Sequence, residues 1–100
     1  MGTQRYPPLT PNEVVAILTA LGFEHRQGGR GDHAKYIREA SRNRQRAAVT
    51  VDMGVRDFHV ELIQSMIRQS GFKREEFYGA TKRTARSAQV AHFQVEPDAE

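Results

Sequence analysis

Two Gly-Phe pairs, Gly22-Phe23 and Gly71-Phe72, constrain this chain more than any other feature. Each follows apolar residues at helical spacing: Val14, Ile17, Leu18 and Leu21 before the first, Leu62, Ile63, Met66 and Ile67 before the second. A glycine there can take the left-handed conformation that ends a helix, and the phenylalanine after it folds back onto the last turn. The first helix opens on Thr10-Pro11-Asn12-Glu13. The threonine hydroxyl can cap a free amide, the glutamate can reach back, and proline stands where a missing amide costs nothing. Asp57 is expected to cap the second helix, and Arg74 to Tyr78 to add a turn anchored by Phe77.

Between the two helices lie three stretches of strand character, Phe23 to Gln27, His33 to Arg38 and Arg46 to Asp52. Glycines 28, 29 and 31 separate the first two, and the polar run Glu39 to Gln45 separates the others. The predicted fold is α+β in the order α-β-β-β-α: a three-stranded antiparallel sheet with two helices packed on one face. Residues 1–9, with consecutive prolines, read as a flexible lead-in; 10–78 form the domain. Residues 79–100 read as a flexible extension in which Val90, Phe93 and Val95 could pack as an added strand or bind a partner, and in which Lys82, Arg83 and Arg86 could lengthen an RNA footprint that Glu96, Asp98 and Glu100 would oppose.

Strand alternation then sorts the side chains. Phe23 with His25, Ala34 with Tyr36, and Val49 with Val51 make the better core set, so Tyr36 is expected to be core and His25 a satisfied core histidine. The opposite, open face carries Glu24, Arg26, His33, Lys35, Ile37, Ala48, Thr50 and Asp52. His33 is therefore the exposed histidine with cations beside it. His59 is expected at the surface of the second helix and His92 in the tail.

The net charge of +3, from 15 basic and 12 acidic residues, conceals a concentrated segment. Arg26, Arg30, Lys35, Arg38, Arg42, Arg44 and Arg46 stand against Glu24, Asp32 and Glu39. Arginine forks suit phosphate oxygens, and nucleic acid is the natural partner class; a solvated basic hairpin is the plainer alternative. There is no cysteine, which excludes disulfides, thiolate nucleophiles and cysteine-based metal sites. The four histidines lack the spacing of a metal site, and no metal or cofactor is expected. Nothing resembles a signal-peptide core or a membrane span, and a cytoplasmic location is expected. The glycines before His33 lack the helix and Lys-Ser pair of a phosphate loop, and read as a hairpin tip.

Leu21-Gly22-Phe23, the Gly31-Asp32-His33 turn leading to Tyr36, Val49-Thr50-Val51, and the segment Leu62 to Phe77 together resemble the HicA (YcfA-like) messenger-RNA interferase toxins of bacterial toxin–antitoxin pairs. The resemblance covers about Thr10 to Tyr78 and implies a fold similar to a double-stranded-RNA-binding domain. In that family a glycine, a small hydroxyl residue and a histidine begin the second strand, and the histidine is required for RNA cleavage. Gly31 and His33 match, Asp32 stands in place of the hydroxyl residue, Ala34 in place of a frequent second histidine, and Asp52-Met53-Gly54 where Pro-x-His often follows the third strand. The resemblance also implies a HicB-like antitoxin partner that covers the active face.

The expected activity is RNA cleavage in which His33 moves a proton, as base or as acid, while Arg26, Arg30, Lys35 and Arg38 hold the phosphate. An imidazole with an ordinary pKa near 6.5 suits either role. The alternative is a non-catalytic RNA-binding module of the same fold, which the substitutions at Asp32, Ala34 and the missing post-strand histidine favour.

Overall fold

The structure, a computed structural model, describes residues 5–28 and 30–93. Helix α1 spans Pro11–Ala20, and its start follows local chemistry: the Thr10 hydroxyl accepts from the Glu13 amide at 3.2 Å, while the Thr10 amide donates to the Glu13 carboxylate at 2.8 Å. Its end is a Schellman turn. The Gly22 amide donates to the Thr19 carbonyl at 3.1 Å and the Phe23 amide to Leu18 at 2.9 Å, with Gly22 at φ +95°. Phe23 thereby enters the core at 2% exposure.

Three strands follow as an antiparallel meander in the order β1-β2-β3: β1 Glu24–Arg26, β2 His33–Arg38 and β3 Ala47–Asp52. The register pairs His25 with Tyr36 and Tyr36 with Val49, Arg26 with Lys35 and Lys35 with Thr50, and His33 with Asp52. These rows divide the sheet as alternation requires. Val49 and Val51 are fully buried against the helices, while Thr50 faces solvent. Helix α2, Val60–Ser70, packs on β3 and on helix α3, Arg74–Tyr78, and buries Ile63, Met66 and Ile67 in the core. Helix α3 closes the core with Phe77 and Tyr78.

Several expectations need correction. Helix α2 begins two residues later than Asp57 would place it: its N-cap is His59, which makes no side-chain capping bond and instead lies 3.4 Å from the Asp57 carboxylate. Leu62, counted with the apolar face, is 55% exposed, because at its turn of the helix the core side is taken by Ile63. His25 shares the covered side with Tyr36, its ring centroid 5.3 Å away, yet is exposed, on a three-residue edge strand that pairs with β2 alone. Tyr36 itself is half-buried against the core. Ile37, on the open face, is only 5% exposed. It shares that face with a chain of ion pairs, Glu24–Arg26–Glu39–Arg46, whose aliphatic stems can cover an apolar neighbour.

Both flanking segments also depart from the flexible reading. Leu9 is 1% exposed and pairs with Phe58 through two backbone hydrogen bonds of 2.7 and 3.2 Å. A fourth helix, α4 Lys82–Ala88, is capped by Thr81 and tied to α3 by the buried Thr84 hydroxyl, which donates to the Tyr78 carbonyl at 2.6 Å. Beyond it, the Phe93 amide and the His92 ring both reach the Gly79 carbonyl, at 2.8 and 3.0 Å. A Cβ at Gly79 would collide with the carbonyls of Glu75 and Ala91, so only glycine lets the chain return so closely. Residues 1–4 of the lead-in, Gly29 of the hairpin tip, and Val95, Glu96, Asp98 and Glu100 of the tail lie outside the described residues. No described helix is long and apolar enough to cross a membrane.

Candidate active site

His33 opens β2 on the uncovered face, immediately after a turn in which its amide donates to the Arg30 carbonyl at 2.9 Å and Gly31 adopts φ +58°. The imidazole has a polar group on each side. Its Nδ1 lies 3.2 Å from the same Arg30 carbonyl, and a carbonyl can only accept, so this contact favours the tautomer with the proton on Nδ1. Nε2 is then the free nitrogen, and it points toward Asp52, 3.9 Å from the carboxylate. The ring is more than half exposed.

Asp52 is placed by the cross-strand register and by a local turn. Its second oxygen accepts from the Gly54 amide at 2.9 Å, leaving the first to face His33. The neighbouring turn interlocks with this one: the Met53 amide donates to the Asp32 carbonyl at 2.7 Å, and a Cβ at Gly54 would collide with the Asp32 carboxylate. The Asp52-Met53-Gly54 segment thus supplies a carboxylate beside the imidazole, where the resembled pattern has a histidine nearby. The walls of this open basin are Arg30, Gly31, Asp32, His33, Asp52, Gly54 and Val55.

The cations proposed for phosphate contact fall into different surroundings. Arg30 borders the basin directly and is exposed. Lys35 lies next in the row on the open face, between Arg26 and Thr50. Arg26 is engaged by two carboxylates, Glu24 at 3.5 Å and Glu39 at 3.3 Å. Arg38 lies on the covered side, where its guanidinium donates to the Leu21 carbonyl at 3.1 Å and to Ser41 at 3.3 Å. Arg44, from the same basic run, sits 3.7 Å from the Phe72 ring centroid and donates to the Gly71 carbonyl at the end of α2. A cation there is favoured by the helix terminus, so part of the basic segment fastens the long β2–β3 loop. Among the described residues, no three His, Asp or Glu side chains converge as a metal-binding group.

Sequence reasoning missed Asp52 as a neighbour of His33, although the pairing of 33–38 with 47–52 was implicit in the predicted hairpin. It also missed the contribution of α2. A second cleft of about 300 Å³ begins at His33, Thr50 and Asp52 and is walled by Phe58, Leu62, Ser65, Met66 and Gln69. Leu62 gave no signal of this in the sequence, where it counts with the apolar face; its 55% exposure marks it in the structure.

Comparison with curated proteins and with solved structures gives no match. The family model described as the HicA toxin of bacterial toxin–antitoxin systems matches residues 11–72, from the first residue of α1 to the phenylalanine after α2, and so spans the whole sheet and the His33 site. With well over half of its length matched and the order of helix, three antiparallel strands and helix in place, this chain belongs to the HicA toxin family, the toxin side of a pair whose other member is an antitoxin.

Proposed function

We propose that the chain is an endoribonuclease that cleaves RNA at His33. The observation that carries this reading is the setting of the imidazole: Nδ1 against the Arg30 carbonyl, Nε2 open with the Asp52 carboxylate 3.9 Å away. In that tautomer Nε2 can take the proton of a ribose 2′-hydroxyl as its oxygen attacks the adjacent phosphorus. The new P–O bond displaces the 5′-oxygen, which leaves with a proton from water, and the products end in a 2′,3′-cyclic phosphate and a 5′-hydroxyl. Asp52 stabilises the imidazolium formed at the first step, and Arg30 with Lys35 offsets the charge that develops on the phosphate.

An acidic HicB-like antitoxin over the same face would complement the arginines and shut out RNA. The proposed partners are therefore RNA and that antitoxin.

Cleavage of end-labelled RNA by the purified protein tests the assignment. His33→Ala should lower the rate roughly 10²–10⁴-fold, the usual contribution of a positioned proton-transfer group, while the circular dichroism spectrum stays unchanged because the ring is exposed. An unchanged rate in that variant removes His33 from the mechanism. Binding that weakens steeply with salt, without cleavage by the wild type, selects the non-catalytic RNA-binding module instead.

A further inference from the structure

We propose that the cleft between β3 and α2 is the binding site for one unstacked nucleobase of single-stranded RNA, with Gln69 and Leu62 as its specificity-determining residues. The proposal deepens the ribonuclease reading, since it places a base beside the phosphate that His33 would act on. Its first support is position. His33 and Asp52 bound both the basin below Arg30 and this cleft, so the imidazole stands between them. A nucleotide whose phosphate reaches the ring has the cleft within reach of its base.

The second support is chemistry. Leu62, Ser65, Met66 and Gln69 recur at helical spacing along α2 and border the cleft opposite Thr50 of β3. Leu62 provides an exposed apolar wall for the face of a base, with the buried Met66 and Phe58 forming the floor behind it. At the rim, Thr50, Ser65 and Gln69 bring two hydroxyls and an amide. The Gln69 amide both donates and accepts, as the hydrogen-bonding edge of a base requires. An apolar site with a few convergent polar groups is the usual form of a small-ligand pocket.

The third support is continuity. Gln69 also borders a second groove of about 360 Å³ that contains Arg46 and Arg68. A strand with its base in the cleft therefore has a cationic path for its backbone at the far end. A duplex cannot use this arrangement, because its bases remain stacked and paired; single-stranded loops and ends present the base that fits.

The test measures binding of short homopolymeric ribo-oligonucleotides of each of the four bases to the full chain carrying His33→Ala, by fluorescence anisotropy. One base should be preferred, and adding Gln69→Ala or Leu62→Ser should shrink that preference at least about 5-fold, the lower range for a lost base contact, while affinity for the least-preferred base changes little. Both side chains are exposed, so a circular dichroism spectrum confirms that the variants fold. Equal binding of all four bases, a preference unmoved by both variants, or no binding overturns the proposal. If the wild type cleaves and depends on His33 while base preference ignores Gln69 and Leu62, only this inference fails. If base-selective binding depends on the two residues but the wild type never cleaves, only the ribonuclease reading fails.

Discussion

Tyr78 is fully buried, and its phenol donates to the Pro7 carbonyl at 2.7 Å. Burial is the largest cause of a pKa pushed well above the ordinary tyrosine value, with the Arg74 guanidinium opposing it. The sign of the linkage follows: a folded-state pKa above the unfolded one gives stability that is complete below about pH 10 and is lost as the pH rises further. Tyr78→Phe should remove that alkaline loss and, at neutral pH, cost about 1 kcal/mol for the orphaned Pro7 carbonyl; urea unfolding at several pH values checks both. At the candidate site, single residues differed in how readable they were. His33 was legible because strand alternation alone put it on the uncovered face. The partnership with Asp52 was not drawn, because it depends on cross-strand register, a relation between distant positions. Arg38 misled for a different reason: its charge matched phosphate, while the Leu21 carbonyl that it satisfies became visible only once α1 was laid beside β2.

Elements whose ends are closed by local chemistry were read accurately. The Thr10–Glu13 capping box and the Gly22 Schellman turn both follow from a few adjacent residues, and α1 forms where they place it. Thr10→Ala should therefore destabilise the protein by about 1 kcal/mol, measurable as a lower urea midpoint with unchanged slope. Elements that depend on their surroundings were harder. Helix α4 has small residues, Thr84, Ala85 and Ala88, in its buried positions, and so lacked the large apolar repeat that announced α1 and α2. Helix α2 starts without a side-chain cap, so nothing local marked its first residue, and a displacement of two residues carried Asp57 from cap to loop. That same helix presents Leu62 outward, a violation of amphipathic pattern that makes sense if its contact is a ligand.

For the whole molecule, Arg74 is the fastening point of both flanking segments. Its guanidinium donates to the Arg5 carbonyl at 2.7 Å and to the Ala88 carbonyl at 3.2 Å, and it lies within 6 Å of the Tyr6 and Tyr78 ring centroids, at 5.6 and 5.8 Å. Its side chain is only 12% exposed. Arg74→Ala should loosen both segments together, at a cost of about 2–3 kcal/mol for the lost charged hydrogen bonds. Hydrogen exchange should speed up at the Leu9–Phe58 bridge and in α4 in the same variant, while the sheet amides change least; acceleration in only one segment would show that they are fastened separately. The extensions were illegible because their partners, Phe58, Arg74 and Tyr78 among them, lie far away in the sequence. A consequence concerns synthesis. Arg5 and Pro7 are made some 70 residues before the side chains that hold them, Arg74 and Tyr78. The nascent chain can complete its sheet while its leading segment still lacks an attachment, so His33 and its neighbours can be assembled before the molecule that carries them is fully fastened.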